Sequence, residues 1–217
     1  MKTIIQIVLW IACIGLGYMI YNSITGPIKF NDEKQERFSK VISNLKDIRS
    51  SQEAYKTVNK RYAKDFESLI SFVDTGKYTI TQQKDSSFMR YDKAYQIDLQ
   101  VDTVLIDTLG FVAVKDSLFK NDDRYKSMMN VPGAPNGEKF EMKADIIDKS
   151  GYRAPVFEVK VAKSVILHDQ PADLLARENA QISVEEVNGN EIKVGSMTEV
   201  STSGNWPPIY DKKGDEN

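Results

Sequence analysis

Residues 3–24, TIIQIVLWIACIGLGYMIYNSI, form one apolar run broken only by Gln6 and by small polar groups at its end. A helix needs about 20 apolar residues to cross the roughly 30 Å hydrocarbon core of a bilayer. The run therefore predicts a transmembrane anchor over 1–24 that meets the lipid bilayer through residues 3–24. A cleavable secretory signal has a shorter apolar part, about 7–15 residues, and ends on small residues. This run continues further and closes on Tyr18, Met19, Ile20 and Tyr21, with its tyrosines where an interfacial aromatic belt belongs. Cys13 follows Trp10-Ile11-Ala12, a poor lipoprotein box, and reads as a small residue inside an uncleaved span. Its spacing of four from Gly17 is the kind that lets membrane helices approach.

Lys2 lies on one side of the run, and Lys29, Lys34 and Arg37 lie beyond the other. A literal positive-inside count would put the large domain in the cytoplasm, but the rule weakens for long domains and acids interleave with bases through 29–49. A short N-terminal tail before a span favours export of the domain on its C-terminal side. The absence of thiols after Cys13 suits an oxidising compartment. The expectation is a single-pass inner-membrane protein with a periplasmic domain.

The remaining chain suffices for one domain of ordinary size. Its net charge of -2 argues against nucleic acid as a partner, because phosphate binding needs a basic face. Thr25-Gly26-Pro27 predicts a hinge over 25–30, after which Asn31 or Asp32 would cap a stem helix, 31–59. Phe38, Val41, Leu45, Ile48 and Tyr55 follow at spacings of three, four and seven, flanked by Ile42. That stripe fits either a short coiled coil with Gln52 and Asn59 in its seam or a helix leaning on a sheet. Asp65 predicts the cap of a short second helix through Phe66, Leu69, Ile70 and Val73, ending at Gly76.

Beyond Gly76 the apolar period drops to two. Strands are expected at Tyr78–Ile80, through Ile97–Ile106, and after a turn at Asp107–Gly110 through Phe111–Lys115. A long loop at 121–137 precedes two further alternations, Phe140–Ile146 and Val156–Val161, and 171–178 suits a helical turn. Asn188-Gly189 predicts a hairpin joining 182–187 to 191–194, and the tail 207–217 reads as disordered. Helices first and antiparallel strands afterwards give an α+β fold: a transmembrane helix, then a long amphipathic helix and a short helix packed on an antiparallel β-sheet in a domain over 31–206.

Chemistry is sparse. His168 is the single histidine and sits beside no nucleophile turn. It reads as a strand-end residue held by a structural hydrogen bond. Acidic pairs such as Asp122-Asp123 and Glu185-Glu186 lack the spacing of a calcium loop. No catalytic residue, cofactor site or metal site is assigned, and the chain is not expected to be an enzyme. Trp206, in Gly204-Asn-Trp-Pro-Pro208, either plugs an open edge of the core or stands as an exposed aromatic anchor for a partner. The candidate interaction surface is accordingly Phe38, Val41, Leu45, Ile48, Tyr55 and Trp206.

Two resemblances emerge from these segments. Leu45–Tyr55, Asn59-Lys-Arg-Tyr62 and Phe66–Leu69 resemble the end of a pilin or pseudopilin stem, although the prepilin cleavage step and its glutamate are missing. Asn44–Tyr55, Lys115–Phe119, Lys139–Met142 and Lys193–Val200 leading to Trp206 are similar to single-span envelope proteins of Bacteroidota. The second resemblance implies inner-membrane attachment with a periplasmic domain. Together these lines point to a non-enzymatic structural or assembly component of a cell-envelope machine, acting on other envelope proteins or by self-association. The alternatives are a pilin-like filament subunit and an anchored sensor or ligand-binding domain.

Overall fold

The structure is a computed structural model that describes residues 2–92, 97–120, 122–149 and 151–211. It is a mixed helix and sheet protein. Helix α1, Lys2–Asn59, runs unbroken for 58 residues, about 87 Å at the ordinary helical rise. Its apolar part is exposed along its whole length and is long and apolar enough to cross a membrane. From Phe30 onward its inner face is buried in the domain.

The expected hinge at 25–30 is replaced by continuous helix with Pro27 inside it. Proline removes one intrahelical donor, leaving the Ser23 carbonyl without its usual partner, but its fixed φ is itself helical. Helix already propagated on both sides carries the chain through, because nucleation rather than extension is the costly step. Asn31 and Asp32 are consequently mid-helix residues rather than caps.

The chain turns at Lys60, whose φ of 61° is left-handed, and enters helix α2, Phe66–Thr75. Asp65 caps α2 as its side chain accepts from the Ser68 N–H at 2.8 Å. Strands β1, Lys77–Asp92, and β2, Ile97–Ala113, form a two-stranded antiparallel sheet. The turn expected at Asp107–Gly110 lies instead within β2. Ile80 pairs with Gly110 and Thr81 with Thr108, so Leu109 is the extra residue of a β-bulge. Turn-like composition and a bulge share this sequence signature, since glycine relieves either distortion. Val114 and Lys115 leave the strand and open helix α3, Val114–Phe119.

The 122–140 segment holds short 3-10 turns at Asp123–Lys126 and Pro135–Gly137. A second antiparallel sheet, in the order β3-β4-β5, consists of β3 (Glu141–Lys149), β4 (Tyr152–Ala162) and β5 (Glu191–Gly195). Two short helices, α4 (Lys163–Ile166) and α5 (Ala172–Ala180), lie between β4 and β5. Among the described residues, the single sheet expected from sequence is thus two.

The hairpin predicted at Asn188-Gly189 does not form. Residues 182–187 are irregular, Ile182 and Val184 are 92% exposed, and β5 pairs with β4 from Ala162↔Glu191 to Glu158↔Gly195. Asn188 Oδ1 accepts from the Ser183 N–H at 2.8 Å, closing a local loop with Gly189 at φ 85°. The apolar inward residues of β4, Phe157, Val159 and Val161, offer Ile192 and Val194 a buried partner that 182–187 cannot. The predicted disorder from Pro207 is corrected as far as Asp211: Trp206 and Pro207 are buried and Pro208–Tyr210 makes a 3-10 turn. The rest of that tail, 212–217, lies outside the described residues.

Candidate functional site

The stripe read from sequence as an interaction surface is the core of the domain. Phe38, Val41, Leu45 and Ile48 are fully buried, together with Ile42. They join Leu69 and Val73 of α2, Phe157 and Val159 of β4, and Ile192 and Val194 of β5 in one cluster. Burial of each such side chain stabilises the fold by about 1.5–3 kcal/mol. Tyr55 is half-buried, with its ring edge-on to Phe72 at a centroid distance of 5.0 Å. Of the two readings of the stripe, the helix packing within its own domain holds. Gln52, the polar seam residue, is buried but satisfied: its amide donates to the Ala63 carbonyl and accepts from the Ala63 N–H, both at 2.9 Å.

Trp206 is likewise a plug rather than an exposed anchor. It is 8% exposed, and its indole N–H donates to Asp211 at 3.1 Å. Lys46 of α1 reaches the same segment, donating to the Tyr210 carbonyl and pairing with Asp211 at 3.1 Å. The strand end expected at His168 is the exit of α4; the ring is exposed, with Nδ1 3.3 Å from the Val165 carbonyl.

A buried ion cluster ties the stem to the domain just above the apolar segment, and no sequence signal marks it. Lys163, fully buried, donates to Glu178 Oε1 at 2.8 Å and to the Val187 carbonyl at 2.6 Å. Lys34 of α1 donates to the other oxygen of Glu178 at 2.9 Å and to Glu186 at 3.0 Å. Burial works to lower the Lys34 pKa, but the two carboxylates outweigh it and hold the ammonium above its ordinary range. One turn on, Arg37 takes a bidentate grip on Asp169 at 2.6 and 2.8 Å, which holds that carboxyl well below the usual range. Stem, α4, α5 and the 186–187 loop are therefore one electrostatically locked unit.

The feature left without a partner is the β1–β2 arm. Its base is fixed by the Val114 N–H, which donates to the Gly76 carbonyl at 3.0 Å. Among the described residues neither strand has a further neighbour beyond the base, and the arm exposes Phe88, Met89 and Tyr91 from β1 and Ile97, Val104, Leu105, Ile106 and Leu109 from β2. An isolated two-stranded hairpin is marginal in water. Exposed apolar patches of this kind mark contact sites. A separate groove of about 620 Å³ lies between α2 and the 123–129 turn, lined by Phe66, Ile70, Tyr125 and Met129 with Lys126 and Lys139 at its edge. No group of three or more His, Cys, Asp or Glu able to hold a metal occurs among the described residues.

Comparison of the chain with protein families, with curated proteins and with solved structures found no match.

Proposed function

We propose that this chain is a non-enzymatic structural or assembly component of the cell envelope, tethered by the apolar part of α1 to the inner membrane with its domain in the periplasm. The observation that carries the reading is the arm: two long strands with open edges and apolar side chains on both faces, standing on an otherwise well-packed domain. The thiol-free domain supports an oxidising compartment, and the locked junction at Lys34 and Arg37 supports a rigid stem between anchor and domain. Contacts with other chains fall to the arm rather than to the stem stripe, which is already committed to the core.

The test is recovery of tagged full-length protein after mild detergent extraction, compared with a version whose arm is shortened by joining Thr79 to Phe111 through a two-residue turn. The bonded base at Gly76 and Val114 remains in the shortened chain. Association present in the full arm and lost in the short one is the expected result. Equal association by both, or by neither, refutes the reading.

A second reading, an anchored ligand-binding domain, draws on the apolar groove beside α2. It predicts that Ile70→Trp, which would fill the groove, abolishes function while the shortened arm is tolerated.

A further inference from the structure

We propose that two copies of this chain pair through the free edges of their β1 strands, antiparallel about Phe88, to make one four-stranded sheet in the order β2-β1-β1-β2. This rests on the reading of the arm as the contact-forming element and names its partner.

The arm is built to be paired. Its strands are 16 and 17 residues long, whereas strands usually run about 3–10. Natural edges are blunted by proline, by shortness or by charged side chains; neither strand here contains proline or is short, so the charges alone decide which edge is open to which partner. The charges are also unevenly distributed. Strand β2 carries Asp98, Asp102 and Asp107 and no cation, while β1 carries Lys77, Lys84 and Arg90 together with Asp85 and Asp92. Within the arm these charges face neutral residues: Asp102 lies opposite Ser87, Asp98 opposite Tyr91, and Lys84 opposite Leu105.

Only one edge is complementary to itself. A two-fold axis perpendicular to a sheet pairs residues on the same face, so a β1 edge can meet its copy only in registers that keep this parity. Centring on Phe88 sets the two phenylalanines against each other, Ser86 against Arg90, and Lys84 against Asp92 on both sides of the axis. Opposite charges directly across a strand pair are favourable, as are paired aromatics. The exposed apolar residues of β1 beyond Ile80, namely Phe88, Met89 and Tyr91, fall inside the overlap of 84–92. The neighbouring register about Ser87 sets Lys84 against Arg90 and is disfavoured.

The other edges fail. Any β2–β2 pairing brings two all-acidic strands together. Repeating β2 against the next β1 in the register of the arm itself moves each copy sideways by only about 9.6 Å, two strand spacings. That is less than the roughly 10–12 Å diameter of a single helix, so the domain bodies collide. The two-fold arrangement instead puts the arm bases about 70 Å apart along the strands, at the strand rise per residue. The aspartates left on the two outer edges then stop the sheet from growing past four strands.

The experiment uses the full chain in its membrane. In a Cys13→Ser background, Phe88→Cys, Ile80→Cys and Val104→Cys are each introduced singly and treated with an oxidant and with a short bis-maleimide. Phe88→Cys, on the axis, is expected to give a dimer, and the other two little or none. Lys84→Asp should weaken association about tenfold, as two symmetry-related attractions become repulsions, and adding Asp92→Lys should restore it. A dimer from Val104→Cys as strong as from Phe88→Cys, or failure of the charge swap to rescue, overturns the proposed edge. Absence of any dimer while arm-dependent association with other membrane proteins persists overturns self-pairing and leaves the structural role standing. Absence of both overturns the two together.

Discussion

Glu178→Gln isolates the energetics of the buried cluster, because the amide keeps the side-chain shape and removes only the charge. In the native protein the carboxylate is shared between Lys163 at 2.8 Å and Lys34 at 2.9 Å. An amide can accept from one ammonium but must turn its NH₂ toward the other, leaving a buried cation facing a donor. Removing one partner of a buried ion pair costs about 3–5 kcal/mol. Here the loss falls at the lower end, about 3 kcal/mol, because Lys163 keeps the Val187 carbonyl at 2.6 Å and Lys34 keeps Glu186 at 3.0 Å. For a domain of this size each kcal/mol moves the midpoint by about 2–4 °C, so the variant should melt roughly 6–12 °C below wild type. Near-UV circular dichroism of the full chain in detergent, together with Trp206 fluorescence in a Trp10→Phe background, reads the transition. The companion replacement of Lys34, Lys163 and Glu178 by Met, Met and Leu should recover part of the loss, since buried ion triads exchange for apolar groups at little net cost while Glu186 and the Val187 carbonyl lose their donors. A Glu178→Gln shift under about 2 °C, or an apolar triple variant less stable than the single one, would refute the argument that the uncompensated charge sets the penalty.

Other parts of the fold carry further expected outcomes. Gly195→Ala should destabilise strongly, because Gly195 sits at φ 79° and an added Cβ would overlap the Phe157 carbonyl oxygen; loss of amide protection across β4 and β5 checks it. Trp206→Ala should cost about 3–5 kcal/mol as a core truncation and leave the arm's association unchanged, which a denaturant titration and the cross-linking assay separate. Because Arg37 depresses the Asp169 pKa, the pair stabilises the fold above the ordinary aspartate range and is lost as pH falls through the lowered value. Asp169→Asn should therefore destabilise at neutral pH, by less than about 1 kcal/mol given the exposure of the carboxylate, and the difference from wild type should vanish in strong acid. Pro27→Ala should slow amide exchange around residue 27 without moving the domain's melting point, since the helix is already continuous there.

Much of the local structure was written in the chain. The apolar run, the stripe from Phe38 to Ile48, the Asp65 cap and the alternations of β3 and β4 each rest on a period or a cap chemistry that short stretches carry alone. Where two structures share one local signature, tertiary packing chose between them. The Asp107–Gly110 composition served a bulge in place of a turn, and Asn188-Gly189 closed a loop because β4 gave β5 a buried partner. Pro27 failed to break a helix sustained from both ends. The candidate site divides in the same way. Phe38, Val41, Leu45, Ile48 and Trp206 are conspicuous in sequence because they are apolar, and burial is what apolar residues seek, so they became core. Lys34, Lys163 and Glu178 carry no pattern, since residues 34 and 178 meet only after the chain has folded. Of the arm, β2 was legible as strand over Ile97–Ile106, but β1 was expected only at Tyr78–Ile80, because the polar run from Thr81 to Ser87 carries no apolar alternation, and nothing in the sequence showed the pair to be unpartnered. Amino-acid sequence alone determined that this protein has a long apolar N-terminal segment, a stem helix and alternating strands; which edges are satisfied and which remain open is a property of the assembled sheets, because a strand's hydrogen bonds are made with residues distant in the chain.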